Sequence, residues 1–527
     1  MSGLKKPKML LALRFIGIAL FVLAGLLAQT QEGTAQFLQS DPERLVFDPR
    51  VAQGEGFPAE AVSDQSGLRF SFGADLFSRY QSEIHGINMV SMVYAFPFGI
   101  YVGNSVYSSA FGTGGGFFVG GIETGFRLPV SRRTGIQLGA FIGGGGGANQ
   151  VGGDGLMLRT HASLAVELYP GWWFTPGVSY TSVSGSEIST AGLHLGLTRN
   201  LNLAISDGFT PRDRQDDRAF RVTSFKPVYR LYLTGSSEKR DPAGRPLDNM
   251  HTIGAEITFS NTDWYEIFIQ THGVVAGDAE GYADWFAGYR LLWNLSPFRL
   301  FASLGTGSAG GGAVNSGGGQ VYLLGAGLSL PAWRGTGLEL EAMAVRSFNG
   351  DFTTVAPGLR IVRYLSGAFD HRAEKETYRW AVNTGMVMHI PNSTYRQFGD
   401  RRGPLVFMIE SALDLMISRN FYITGRGYTS FIGDAGGYQI GLLGPGFVHT
   451  LPNKWQVKAE VYIGAGGGAR VDTQGGLLTG MRAELGVPVW RSLHLTAGAG
   501  TLTPVLGRGM NPITLHTGLS VPFRTYH

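Results

Sequence analysis

The sequence contains no cysteine, and charged residues make up only 16% of its 527 positions. Without cysteine, the chain has neither a disulfide framework nor the acylated cysteine of a lipoprotein. After the N-terminal segment, it also has no apolar run near the roughly 20 residues that a helix needs to cross a bilayer. These absences exclude a disulfide-stapled domain and a helical membrane protein.

The first 35 residues have the pattern of a secretory signal peptide. Four basic residues lie before or at the start of an apolar run from Phe15 to Leu27, and the small residues Gly33 and Ala35 follow. The run is short for a membrane anchor, so we expect cleavage after Ala35. The formal charge is +4, and the segment carries four basic residues and one acid. The rest is therefore near +1, which removes the main argument for nucleic-acid binding.

Glycine is abundant: 80 of the 527 residues are glycine, which is about 15%, whereas an average composition has roughly 7%. Gly305, Gly307 and Gly310 match a dinucleotide-binding pattern, but a strand-like segment follows instead of the helix that phosphate binding needs. Three similar runs occur in the chain, so we interpret them as one turn used three times. They read GGGGGANQVGG (143 to 153), GSAGGGAVNSGGG (307 to 319) and GAGGGARVDTQGG (464 to 476).

Most of the chain alternates between apolar and polar residues with a period of two. Arg482 and Glu484 oppose an apolar face in 481 to 487, and Glu123 and Arg127 oppose one near Phe126. One apolar face and one small or charged face is typical of a transmembrane barrel strand. A soluble sandwich alternates as well, but it seldom contains so much glycine. An exported chain of this kind indicates an outer-membrane β-barrel.

Landmarks recur along the chain in the same order. An arginine followed by glycine opens each third, at Arg69, Arg230 and Arg379, and a Gly-Leu strand closes each third, at Gly192, Gly358 and Gly518. Spacings of roughly 150 to 165 residues indicate a repeated domain, because a solenoid unit has a period of roughly 20 to 50. The fold class that we predict is all-β: three tandem eight-stranded, antiparallel, up-and-down transmembrane barrels. The alternative is one 24-stranded barrel.

The strands of the first third are predicted near 68–80, 85–97, 98–111, 117–129, 135–146, 156–168, 172–183 and 188–200. Charged, turn-rich segments separate the thirds and are interpreted as linkers. The predicted divisions are a signal peptide (1–35), a polar segment (36–67), a first barrel (68–201), a linker (202–220), a second barrel (221–365), a linker (366–376) and a third barrel (377–527).

The last strand resembles the insertion signal of the small outer-membrane β-barrels of the OmpA/OmpX type. His516, Gly518, Val521 and Phe523 fit its polar, glycine, apolar and aromatic positions. The resemblance extends over about 68 to 523 as three copies, and the tail RTYH after Phe523 departs from it. It implies insertion by the barrel assembly machinery into a membrane of outer-membrane lipid and lipopolysaccharide, with no cofactor.

Inward-facing charges are predicted inside the barrels. They would either line an ion path or form ion pairs that plug a narrow lumen. We favour the plug, because an eight-stranded barrel is only just wide enough for its side chains and a buried charge needs a partner. The predicted interior residues are Arg69, Asp75, Glu123, Arg127, Arg230, Asp284, Arg290, Arg379, Glu410, Arg426, Arg482 and Glu484.

One constellation suggests catalysis. His161 and Ser163 lie on one strand face with Glu167 beyond, and they resemble the His-x-Ser pair of outer-membrane lipid A deacylases. Alternation points both side chains inward, away from lipid, so we favour an inert hydrogen-bonding role. The histidines have no metal-ligand spacing, and no calcium loop is evident.

We therefore expect a non-enzymatic protein with a structural, adhesive or surface-interaction role. The second hypothesis is a single large pore or transporter, and the third is a lipid A-modifying enzyme that uses His161 and Ser163. The longest polar loops, 236 to 250 and 391 to 404, are the expected recognition surfaces.

Overall fold

In the computed structural model, the fold of most of the chain after residue 66 is defined. Predictions for the signal peptide, the polar segment and most of both linkers fall outside the described residues. Those residues belong to one compact unit that ends at His527. They are 67–78, 82–96, 98–151, 153–201, 205–206, 220–241, 243–333, 335–365, 377–490 and 493–526.

Strands make up nearly all of the regular structure, and no helix in the described part of the chain is long and apolar enough to cross a bilayer. The strands are β1 (Gly67–Phe77), β2 (Ile84–Ala95), β3 (Ile100–Gly112), β4 (Phe118–Pro129), β5 (Thr134–Gly146), β6 (Leu156–Tyr169), β7 (Trp172–Val183), β8 (Ser189–Asn200), β9 (Ile205–Ser206), β10 (Arg221–Tyr232), β11 (Met250–Ser260), β12 (Tyr265–Ala276), β13 (Ala283–Leu295), β14 (Phe298–Gly310), β15 (Gln320–Ser329), β16 (Thr336–Ser347), β17 (Thr353–Tyr364), β18 (Thr377–Ile390), β19 (Val406–Met416), β20 (Phe421–Ile432), β21 (Gln439–Thr450), β22 (Gln456–Gly467), β23 (Leu477–Trp490), β24 (Leu493–Pro504) and β25 (Ile513–Tyr526).

The strands close into three antiparallel barrels of eight. Barrel 1 comprises β1 to β8, barrel 2 comprises β10 to β17, and barrel 3 comprises β18 to β25. The closing pairs are β1 with β8, β10 with β17, and β18 with β25. Because each third closes on itself, the three-barrel prediction is confirmed and the single 24-stranded barrel does not form.

The two faces of each strand have the predicted opposite character. On β23, the outward Met481 is 60% exposed, whereas the inward Arg482 is 5% exposed. Leu164 on β6 and Leu340 on β16 are likewise exposed on the outside. With 10 to 14 residues in each barrel strand, the strands meet or exceed the roughly 9 to 11 that a tilted strand needs to cross a bilayer.

The three glycine runs occupy the same loop in each barrel, between its fifth and sixth strands. We call these segments the glycine loops; they are residues 147–155, 311–319 and 468–476. Each has a Gly-Ala step within its first three residues, and the alanines Ala148, Ala313 and Ala469 all have positive φ. The prediction that the runs are one repeated turn agrees with these positions. We call this end of the molecule the glycine end, and the opposite end the linker end.

Each glycine loop packs against the short turn between the third and fourth strands of a neighbouring barrel. Gly115 of barrel 1 donates to Gly317 of barrel 2 (2.7 Å), and Gly436 of barrel 3 donates to Gly153 of barrel 1 (2.6 Å). Gly475 of barrel 3 donates to the Glu280 carboxylate of barrel 2 (3.2 Å). The same two elements meet in cyclic order, so the barrels form a closed ring with pseudo-threefold symmetry.

Glycine is required at these contacts because backbone meets backbone. A Cβ on Gly310 would lie 2.4 Å from the nitrogen of Gly116, and a Cβ on Gly467 would lie 2.8 Å from the Cα of Gly281. A side chain at either position would push two barrels apart. The glycine content that the sequence shows is therefore explained by contacts between barrels as well as by turns.

Polar side chains that point out of the barrels are buried between them. Asn88 of barrel 1 donates to Gln320 of barrel 2 (2.8 Å), and Trp285 of barrel 2 donates to Ser108 of barrel 1 (3.0 Å). Ser411 of barrel 3 donates to Asn104 of barrel 1 (2.9 Å). A cluster of apolar side chains from all three barrels packs together at the linker end of the assembly.

Candidate functional site

The lumen of barrel 1 is filled by hydrogen-bonded charges. Arg159 donates to both oxygens of Asp75, at 2.7 and 2.9 Å. The Nδ1 atom of His194 lies 2.8 Å from Asp75 Oδ1, and Tyr107 donates to Glu123 (2.8 Å). All five side chains are buried, so they occupy the space that an ion path would need.

Barrel 2 contains the largest charge network. Arg290 donates to both oxygens of Glu256, at 2.7 and 2.8 Å, and Arg230 donates to Glu341 (2.7 Å). The buried charges of the described part of this barrel balance, with five of each sign: Lys226, Arg230, Arg290, Arg299 and Arg360 against Glu256, Glu266, Asp284, Glu339 and Glu341.

In barrel 3, Arg426 connects two acids from different strands. Its Nε donates to Glu460 (2.8 Å), and its two terminal nitrogens pair with Glu410 and Glu460. Arg482 donates to Glu410 (2.7 Å) and pairs with Glu484. Each arginine contacts two carboxylates, so the network extends across the lumen instead of along one strand.

Several predicted interior charges have partners other than those that sequence spacing suggests. Asp75 is bound by Arg159 of β6, and the guanidinium of Arg127 lies over the Trp173 ring, 3.7 Å from its centroid. Asp284 accepts from Tyr232 (2.7 Å), while Arg290 binds Glu256. The reason is that strands that are not hydrogen-bonded neighbours supply closer partners across the lumen than positions along one strand do. Arg69 is itself buried.

Arg379 differs from the other predicted interior residues. It lies near the start of β18 at the linker end, is exposed, and donates to the Ser418 carbonyl (2.9 Å). The predicted set also omits Arg159, Lys226, Glu256, Arg360 and Glu460 as ion-pair partners. Their inward positions on alternating strands are the signal that would have found them.

The predicted insertion signal forms the strand that closes barrel 3. His516 points inward, with Nδ1 3.1 Å from Arg482, and a Cβ on Gly518 would lie 2.5 Å from the Thr384 carbonyl. Phe523 points outward and stacks on Trp380 (6.3 Å between ring centroids), while Val521 is half-buried. The tail that departs from the family pattern has a local role, because its residues 524–525 pair with β9 of the first linker.

His161 and Ser163 are both buried on the inward face of β6. In the described part of the chain, Ser163 Oγ has no hydrogen-bond partner. The Nδ1 atom of His161 lies 2.8 Å from Arg159, and its Nε2 lies 3.4 Å from Gln137. A histidine that does not reach the serine hydroxyl is not positioned to activate it. The described residues also contain no cluster of three or more potential metal ligands.

The two long polar loops lie at the glycine end and reach toward the neighbouring turns. In the loop after β10, Arg240 donates to the Gly115 carbonyl of barrel 1 (3.4 Å). Asp241 there accepts from Arg245 (2.6 Å), and this hydrogen bond lowers the pKa of the Asp241 carboxyl. In the loop after β18, Phe398 is 57% exposed, and Arg470 of the third glycine loop lies over its ring (5.0 Å).

A cavity of about 1820 Å³ lies between the three barrels. Its wall consists of the outward faces of strands from every barrel, with apolar side chains that include Val106, Tyr229, Ile253, Ile269, Leu443 and Ile463. Sequence alternation identifies these positions as membrane-facing. Which of them enclose a space depends on how the barrels meet.

Solved structures that match the chain include proteins of Pseudomonas aeruginosa. OccK11 (OpdR) is 12% identical, with a TM-score of 0.23 over 86% of this chain and 94% of that chain. The outer membrane protein OpdK is 10% identical, with a TM-score of 0.23 over 87% and 97%. Likeness this low carries no argument about function or about which family of barrels the chain resembles. No protein-family model matches the chain, and no curated protein is similar to it in sequence.

The distribution of side chains in the structure itself identifies the environment of the barrels. Closed antiparallel barrels with exposed apolar exteriors and charged interiors satisfy every backbone hydrogen bond while presenting hydrocarbon to lipid. The chain is therefore an integral outer-membrane β-barrel protein, built as three barrels in one polypeptide.

Proposed function

We propose that the protein is a non-enzymatic, non-conducting outer-membrane scaffold with a structural, adhesive or surface-interaction role. The observation that carries this proposal is the filling of all three lumens by buried ion networks. In barrel 2, Arg290 on β13 and Glu256 on β11 are held at 2.7 Å although β12 lies between their strands. An eight-stranded barrel leaves little space beyond its own side chains, so these networks block the lumen.

The glycine end is the surface that we assign to recognition, facing the cell exterior as the longer loops of outer-membrane barrels do. Phe398 is exposed there, and Arg401, with a half-exposed side chain, lies three residues further along the same loop. Exposed aromatic and arginine side chains are enriched at binding hot spots. Catalysis is not part of the proposal, because His161 does not reach Ser163.

A second candidate is a pore along the pseudo-threefold axis, and the cavity between the barrels is the observation that favours it. The cavity has a volume of about 1820 Å³. This is more space than an eight-stranded barrel leaves inside its own side chains. The outward strand faces that line the cavity away from the charged glycine end argue against a pore, because they are largely apolar and an apolar cavity stays dry instead of holding a column of water.

Conductance of the purified full chain in a planar bilayer tests the proposal. We expect no steady conductance from the wild type. The variant Glu256→Ala/Arg290→Ala removes a balanced ion pair from the barrel 2 lumen, so it is expected to conduct. The matched control Leu338→Ala/Leu340→Ala changes only exposed exterior positions and is expected to remain closed. Large, steady conductance from the wild type would contradict the scaffold and support the axial pore.

A further inference from the structure

The cavity between the barrels has the wall of a lipid site. Its side chains are the same outward-facing kind that contact lipid on the rim of the assembly, where Leu338 and Val461 are exposed. Among the described lining residues, charged side chains lie at the glycine end or point into a lumen. The cavity is therefore a piece of membrane-facing surface that the ring of barrels encloses.

Where barrel 3 lines this cavity, three outward-facing positions are glycines without a side chain. A Cβ on Gly425 or Gly441 would have no atom within 4 Å, and a Cβ on Gly427 would meet only the Ser411 carbonyl at 3.9 Å. By contrast, a Cβ on Gly144 at a barrel contact would lie 2.5 Å from the Ser430 carbonyl. Glycine weakens a strand and usually marks a close approach. At these three positions nothing of the protein approaches, so the glycines leave room for something else.

The size and chemistry of the cavity select the occupant. A volume of about 1820 Å³ exceeds the roughly 300 to 1,000 Å³ of a pocket for a drug-sized ligand, and it suits several acyl chains. The mouth at the glycine end has charges of both signs, and Arg240 lies 3.6 Å from Glu83. A headgroup with one cationic and one anionic group matches this mixture better than a polyanionic one. The mouth charges are Glu83, Arg240, Glu280, Arg396, Asp400, Asp434 and Arg470.

We propose that the central cavity binds zwitterionic phospholipid, with its acyl chains against the apolar wall and its headgroup at the mouth. Barrel contacts surround the cavity, and the apolar cluster of Leu68, Phe259 and Trp380 with their neighbours packs at the linker end. Phospholipid enclosed in this way exchanges slowly with the surrounding membrane. It also seals the axis against water, which extends the non-conducting function that we propose for the lumens.

Retention of lipid by the purified full chain tests this site. The protein is extracted in mild detergent and washed extensively, and its lipid is identified and counted by mass spectrometry and phosphorus assay. We expect at least about one phospholipid per wild-type chain. The variant Gly425→Leu/Gly427→Leu/Gly441→Leu fills the cavity and is expected to lower retention at least fivefold. The control Ala342→Leu/Ala344→Leu/Ala497→Leu creates the same three leucine side chains at exposed positions on β16 and β24 and is expected to retain as much lipid as the wild type.

Resistance to heating on cold gels confirms that each variant is folded. If the triple variant does not fold, the single variant Gly441→Leu is used instead and is expected to lower lipid retention at least twofold. Together with the number of phospholipids per wild-type chain, it still tests the proposal. A wild type without phospholipid, lipid A as the retained lipid, or undiminished retention in the filled variants would overturn the proposal. Conductance separates it from the scaffold: retained phospholipid with conducting lumens contradicts only the scaffold, and an empty, closed protein contradicts only this site.

Discussion

Replacing Arg426 with methionine is the sharpest test of the filled lumen. Arg426 is buried and contacts Glu410 and Glu460, with Asp414 3.6 Å away. Methionine keeps much of the side-chain length but removes the charge and all the donors. Glu410 then keeps Arg482, while Glu460 keeps the hydroxyl of Tyr422 (2.6 Å).

The expected loss follows from leaving a buried acid without its cation. Breaking one buried ion pair typically costs about 3 to 5 kcal/mol, and here two acids lose the same partner. With a urea dependence of about 1 to 3 kcal/mol per molar, the unfolding midpoint of barrel 3 should fall by about 1 M or more. Arg426→Met/Glu460→Gln should recover part of the loss, because removing both partners of a pair costs less than removing one.

Urea titration in detergent, followed by gel mobility and tryptophan fluorescence, measures the shift. The control is Arg379→Met, since Arg379 is exposed and its guanidinium donates to the Ser418 carbonyl at the linker end, outside the lumen. Its effect should stay within about 0.5 kcal/mol, as for most surface substitutions. If Arg426→Met is equally mild, water must solvate Glu410 and Glu460. The lumen would then be open and the argument for a plug refuted.

Two further predictions concern insertion and barrel contact. Phe523→Ala removes the aromatic end of the insertion signal and its stacking on Trp380, so it should lower the outer-membrane fraction in cell fractionation; unchanged levels would contradict the signal. Gly116→Ala places a Cβ 2.3 Å from Gly311 of barrel 2, whereas Gly475→Ala, at a similar positive φ, has no atom within 4 Å. The measurement is the yield of a disulfide between cysteines introduced at positions 88 and 320, where Asn88 of barrel 1 contacts Gln320 of barrel 2. Only Gly116→Ala should lower this yield, and equal yields in the two variants would count against backbone packing at Gly116.

Alternation along the chain was sufficient to predict most of the strands. β7 was expected at 172–183 and is Trp172–Val183, and the other strands of barrel 1 begin and end within a few residues of their predicted bounds. Side chains in a strand point to opposite faces with a period of two, so the inward position of Glu123 and the outward position of Phe126 follow from the sequence alone. The repeated landmarks likewise indicated three similar units.

The alternation along the sequence does not predict which buried charges and polar side chains contact one another. The alternation places Asp75 inside barrel 1, but strand pairing around the barrel decides that Arg159 and His194, 84 and 119 residues away, reach it. Polar residues such as Asn88 and Ser108 look misplaced on a lipid-facing side until the neighbouring barrel covers them. The partner turns of the glycine loops, GTGGG (112–116), GDAEG (277–281) and GDAGG (433–437), were a visible repeat whose meaning lies in that contact.

The sequence by itself determined that this protein is made of membrane-spanning strands in three repeats, because the two faces of a strand are a local property of alternating residues. Only the tertiary structure decided that each repeat closes separately, which charges meet, and that outward faces enclose a cavity. Closure depends on pairing between strands more than 100 residues apart, and the cavity depends on contacts between three closed barrels. Neither leaves a periodic signal in the chain, because the physical interactions that produce them are between segments and not along one.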